Sequence, residues 1–202
     1  DESWKEHWDV ILKSIDKLSE PLKFDYKMAY YEISGNDDLY KKLAIRQVRL
    51  YPDDINVHSE LALVYINENN PERFDNALQE YKTIVRLDPE QYEYYKKIAD
   101  CFYGKAYFDS SIIYYKKYAE TIVDDSDALS SLAYMYTLQG KYKDAISTME
   151  DAILLSNDIL YYKKQTMYYK YIDKQINSIE YLNFLDKLLK DIDEFGDSTS
   201  IY

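Results

Sequence analysis

The residues in this chain that could do chemistry are two histidines, one cysteine and many carboxylates. His7 and His58 are far apart, no H-x-x-x-H pair occurs, and Cys101 stands alone. Neither a zinc-ligand set nor a Cys/His nucleophile pair is therefore spelled out, and an internal disulfide is impossible. Cys101 reads as a small core residue and His58 as a helix-packing residue rather than a general base. Gly35, Gly104, Gly140 and Gly196 are too dispersed for a phosphate-cradling loop, and no G-x-S-x-G element is present. The paired carboxylates Asp53-Asp54 and Asp124-Asp125 fall at turns, where solvation or helix N-capping is their ordinary use. No catalytic, cofactor-binding or metal-binding residue is assigned, no cofactor is expected, and the chain reads as a non-enzyme.

The elements that would position any site are helices. Four glycines and four prolines in 202 residues leave little turn chemistry for a fold of many hairpins between strands. Thirty-seven acidic against 25 basic residues give a net charge of −12, which disfavours nucleic acid, a ligand that draws on clustered Lys and Arg. The same field would steer a basic protein partner, although acidity also serves ordinary solubility. The 25 tyrosines should sit half-buried, either replacing Leu and Phe between helices or serving as anchors on a binding face. The longest uncharged stretch, Ala128 to Gly140, falls short of the roughly 20 apolar residues of a membrane span. The chain starts at Asp1 without an initiator Met, so compartment stays open: the cytoplasm is slightly favoured, and envelope anchoring before residue 1 is the alternative.

A self-similar skeleton runs through the middle of the chain. Leu61-Ala62-x-x-Tyr65 is followed by Ala77-x-x-x-Tyr81 and Leu87-Asp88-Pro89; Ile98-Ala99-x-x-Phe102 by Ser111-x-x-x-Tyr115; Leu132-Ala133-x-x-Tyr136 by Ala145-x-x-x-Met149. Ala99 to Ala133 is 34 residues, whereas Ala62 to Ala99 is 37, with the extra three at Asn67-Glu68-Asn69-Asn70-Pro71. This pattern resembles the tetratricopeptide repeat, a helical hairpin of the same period. The resemblance implies an all-α fold, a tetratricopeptide-type α-solenoid of stacked antiparallel hairpins, and a protein-binding scaffold as its function.

The register divides one continuous domain into an N-terminal amphipathic capping helix 1–20, a degenerate repeat 21–54 with Tyr40 at a small-residue site, and a repeat with insertion 55–91. Repeats 92–125 and 126–159 follow, then a divergent repeat or cap 160–193, in which Met167 fits but Thr166, Lys170 and Ile179 do not, and a tail 194–202. In each unit, apolar residues three and four apart make two amphipathic stripes that only stacking can bury. Gly140, Gly35 and Gly104 are expected to end first helices at positive φ, and Pro52 and Pro89 to follow second helices. Trp4, Trp8, Ile11, Leu12, Ile15 and Leu18 predict a single N-terminal helix that caps the first repeat; the alternative is a partner-binding or dimerising helix, a homodimer through the terminal helices.

In the resembled family, the second, fifth, ninth and twelfth positions of each repeat line a concave groove. Carried across, the rule selects Asn56, Ser59, Leu63 and Ile66; Glu93, Lys96, Asp100 and Tyr103; and Asp127, Ser130, Tyr134 and Thr137. The Lys, Asn and Arg with which one family subset grips a C-terminal carboxylate are replaced by Ser59, Leu63, Asp100 and Tyr134. The implied partner is a protein or peptide of basic or amphipathic character. A dedicated chaperone or escort of one client, and a regulatory piece of a larger protein, are the competing readings.

Overall fold

The computed structural model describes residues 3–122, 125–156 and 159–198, with side chains at Trp8, 10–122, 125–156 and 159–191. Among these residues every regular element is helical. They fall into two compact units, residues 1–90 and 91–202.

The first unit holds α1 (Ser3–Ser14), α2 (Glu20–Ile33), α3 (Asp37–Leu50), α4 (Ile55–Asn67) and α5 (Arg73–Leu87). The N-terminal segment is not the single helix expected. α1 stops at Ser14 and a 3-10 turn spans Ile15–Lys17, closed by the Leu18 N–H on the Ile15 carbonyl. This break buries Ile15 and lets the chain reverse into α2, which accepts Pro21 in its first turn where no N–H is needed. Trp8 then packs on Tyr26 and Tyr30, with ring centroids 6.2 and 5.8 Å away. The side chains of Trp4 and His7 lie outside the described ones. Phe24, Met28, Leu43, Ala44 and Leu61 form the core beneath. Buried His58 ties α4 to α5: its Nε2 donates to the Pro52 carbonyl at 2.9 Å, and its Nδ1 meets Glu80 at 2.6 Å.

The second unit holds α6 (Glu93–Gly104), α7 (Phe108–Thr121), α8 (Ser126–Leu138), α9 (Tyr142–Leu155), α10 (Ile159–Ile172) and α11 (Ser178–Ser198). Ala99, Ala133, Ala145, Met149 and Ala152 are fully enclosed in its core, so the helices approach closely where the repeat puts small residues. Ser111 is buried at one such place and gives its hydroxyl to the Ala99 carbonyl at 2.9 Å, which removes the cost of enclosing it. Cys101 is buried and forms no disulfide.

First helices end in a shared way, and one expectation about them fails. Gly35 and Gly140 take positive φ as anticipated, but Gly104 remains helical and Ala106 carries the left-handed turn instead, at φ 58°. Its place is fixed by hydrogen bonding rather than by residue type. The Asn36, Tyr107, Lys141 and Gln175 N–H groups each reach back to the carbonyls of Tyr31, Phe102, Tyr136 and Lys170, closing the same six-residue turn, and the left-handed residue precedes each donor. Ala106, Gly140 and Lys174 therefore recur at 34 residues, and Lys174, at φ 59°, brings the last hairpin into step. α4 differs, ending in extended backbone at Glu68 where the insertion begins.

After Lys174 the register slips. Asn177 Oδ1 accepts the N–H groups of Ile179 and Glu180, and Glu180 returns a carboxylate to the Asn177 N–H, a capping box that starts α11 two residues later than α9 starts in its hairpin. Counted from the cap, Tyr181 occupies the place of Ser111 and Ala145. Ile179, the residue that failed the repeat pattern, points out and is 70% exposed.

Candidate functional site

The face to consider is that of the first helices, on which the sequence placed twelve residues. In the first unit, Asn56 and Leu63 of α4 are exposed, and Ser59 and Ile66 are half-buried. Asn56 also lines an open pocket of about 530 Å³ between α2, α3 and α4. α4 begins beside it because Asp54 caps the helix, accepting the Asn56 N–H at 2.9 Å.

In the second unit Glu93, Asp100 and Tyr103 of α6 and Asp127 and Tyr134 of α8 are exposed, while Lys96, Ser130 and Thr137 are half-buried. The structure brings Tyr103 and Tyr134 together, edge to face with centroids 6.1 Å apart. The Tyr134 hydroxyl beside it pushes Tyr103 above the ordinary tyrosine range.

The acidic members are engaged from behind. Tyr115 of α7 donates to Asp100, and Tyr162 of α10 donates to Asp127 at 2.7 Å. Tyr118 donates to Asp125 at 2.7 Å, and Lys96 approaches the same carboxylate at 3.8 Å. Burial and then the bond to Asp125 push Tyr118 up to about 12; burial and then Asp100 raise Tyr115 further. For Asp125 burial works upward but is outweighed by the Tyr118 hydroxyl, the Ala128 N–H and Lys96, which hold the carboxyl below its usual range. Asp100 and Asp127 thus serve the fold as internal acceptors. Glu93 is the exposed carboxylate left on this face.

The last hairpin extends the row. With α10 in the 34-residue register, the same four positions are Tyr161, Lys164, Tyr168 and Tyr171. All four are exposed. Tyr171 stacks face to face on Tyr181 at 5.1 Å, and Tyr168 leans on the same ring at 6.4 Å, so α11 stiffens the far end of the row. Tyr134 and Tyr168, 34 residues apart, are 45% and 43% exposed.

Among the described residues no cluster of histidine, cysteine and carboxylate could hold a metal, and no helix is long and apolar enough to cross a membrane. Comparison with solved structures decides the fold. A crystal structure of the MamA protein superposes with a TM-score of 0.70 at 15% identity, covering 84% of this chain and 90% of that one. MamA from Desulfovibrio magneticus RS-1, residues 41 to the end, gives 0.66 at 11% identity, over 87% and 94% of the two chains.

The fold is that of a tetratricopeptide-repeat protein.

No protein-family model matches the sequence. No curated protein matches it either. The likeness to MamA is one of architecture carried on a different sequence.

Proposed function

We propose that the chain is a non-enzymatic protein-interaction scaffold in which the first-helix face of α6, α8 and α10 holds a peptide or helical segment of a partner protein. The observation that carries this reading is the set of exposed tyrosines at groove positions, Tyr103, Tyr134, Tyr161, Tyr168 and Tyr171. Tyrosine supplies a large amphipathic contact with few rotatable bonds, so little ordering entropy is lost when it binds. Rings already braced by Tyr103–Tyr134 and Tyr171–Tyr181 contact lose less still. Two of the acidic groove residues accept tyrosine hydroxyls, which supports recognition through the rings with charge in a steering role.

The test is a partner identified by cross-linking in the native cell, then titrated against wild type and the Tyr134→Ala/Tyr168→Ala double variant. Each truncation of an interface anchor costs about 2 kcal/mol, so the pair should weaken binding by two orders of magnitude or more. An affinity unchanged in a variant with native far-UV circular dichroism overturns the reading. Asp127→Lys is a poor probe, because it removes the acceptor of buried Tyr162.

A further inference from the structure

In the first unit the first-helix face is chemically different, and Asp25, Ala29 and Glu32 hold the fifth, ninth and twelfth positions of the repeat 21–54. The pocket of about 530 Å³ between α2, α3 and α4 is walled by Asp25, Glu32, Asp54 and Glu60, and none of its described lining residues is basic. Its floor is Met28, Ala29 and Val57, with Tyr40 and Tyr51 beside them. The carboxylates come from two helices and a turn, so they converge on one space. Two are partly occupied: Glu60 accepts the Tyr40 hydroxyl, and Asp54 caps α4 through one oxygen. Asp25 and Glu32 are exposed at the mouth. The charge of Glu32 is felt inside, since Tyr40 is pushed far above its ordinary range first by burial, then by its bond to Glu60, with Glu32 adding to the effect.

We propose that this pocket takes the basic side chain of a partner segment, arginine above all, its guanidinium among the carboxylates, with Asp25 and Glu32 of α2 on one side and Asp54 and Glu60 on the other, and its methylene stem on Met28, Ala29 and Val57. Arginine suits the place on three counts. The planar fork meets carboxylates from two directions, the weakly hydrated cation enters a half-apolar pocket more easily than an ammonium, and an aromatic ring at the wall favours it further. The charge is the reverse of the lysine- and arginine-bearing groove that receives a carboxylate tail. The pocket uses residues of the first unit and the tyrosine row residues of the second, so either proposal can fail without the other.

The probe is a fluorescein-labelled peptide of leucine, alanine and arginine, set against the same peptide with every arginine replaced by citrulline, the neutral isostere, with fluorescence anisotropy as the readout. Wild type is expected to bind the arginine peptide and lose the citrulline one. Asp25→Asn/Glu32→Gln, two exposed positions that leave the core intact, should bind about tenfold more weakly. Asp144→Asn/Asp151→Asn, which removes the same charge from exposed sites on α9, and Tyr134→Ala should leave the affinity within about twofold. Equal loss in the two charge-neutralised pairs would mean attraction to net acidity alone and overturns the proposal, as does equal binding of the citrulline peptide or no binding to wild type.

Discussion

The left-handed turn that ends first helices offers a test in which almost every other variable is held constant. Ala106, Gly140 and Lys174 share one hydrogen-bonding pattern at one spacing and differ in residue. An L-residue in this conformation costs about 1–2 kcal/mol, and glycine gives back about 0.5–1 kcal/mol through the extra freedom of its unfolded chain. Ala106→Gly and Lys174→Gly should each stabilise by the difference, about 0.5–1 kcal/mol. Gly140→Ala should destabilise by about as much, because a Cβ built there meets nothing within 4 Å and only the backbone term operates. For a chain of this size such changes move Tm by roughly 1–4 °C. The positions do not touch, so the two gains should add. Calorimetry with parallel far-UV circular dichroism, which guards against loss of two-state behaviour in a repeat protein, reads them. A neutral Gly140→Ala, or a destabilising Ala106→Gly, would refute the claim that hydrogen bonding sets the turn and the residue merely tolerates it.

Two further outcomes follow from the core. Tyr115, Tyr118 and Tyr169 hold their protons more tightly when folded than the usual value near 10. Their contribution is therefore complete below pH 10 and is lost as pH rises through about 12, where Tyr118 and Tyr169 titrate. Each proton released only on unfolding steepens the loss by about 1.4 kcal/mol per pH unit, so urea midpoints should fall above pH 10 as tyrosinate absorbance appears; a flat midpoint through about pH 12 contradicts the assignment. Ser111→Val removes the bond to Ala99 and adds a methyl group where the helices touch, and should destabilise by about 1–3 kcal/mol in thermal melts, whereas a neutral result would mean the two helices can part freely.

What could be read in advance follows from the range of each interaction. Helix stripes, the 34-residue period and the enclosure of Ala99, Ala133 and Ala145 depend on near neighbours and repeat, so they stand in the sequence. Ala106 and Lys174 give no glycine signal, and their turns come from a backbone bond that any residue can make. The slip at α11 had a local signature, Asn177 with Glu180 three residues on, which competes with the register and wins because it satisfies three backbone donors. The row on α10 was hidden behind Thr166, Lys170 and Ile179, although Tyr162, Thr166 and Tyr169 pack normally and the groove positions follow once they do. Links such as Tyr115 to Asp100 join different helices of a hairpin and leave no trace in the spacing of either residue. The same is true of the bend after Ser14.

Those links also bear on ionic strength. In an acidic protein, carboxylates are ordinarily braced by lysine and arginine, and such surface pairs fade as salt shortens the Debye length. Here Glu60, Asp100 and Asp127 are braced by neutral hydroxyls. A hydrogen bond from an uncharged donor is short-ranged and hardly screened, so the scaffold keeps its internal ties across a range of salt while the long-range field around it collapses. At these carboxylates structure and steering are carried by separate chemistry, and the second can be switched down by electrolyte without loosening the first.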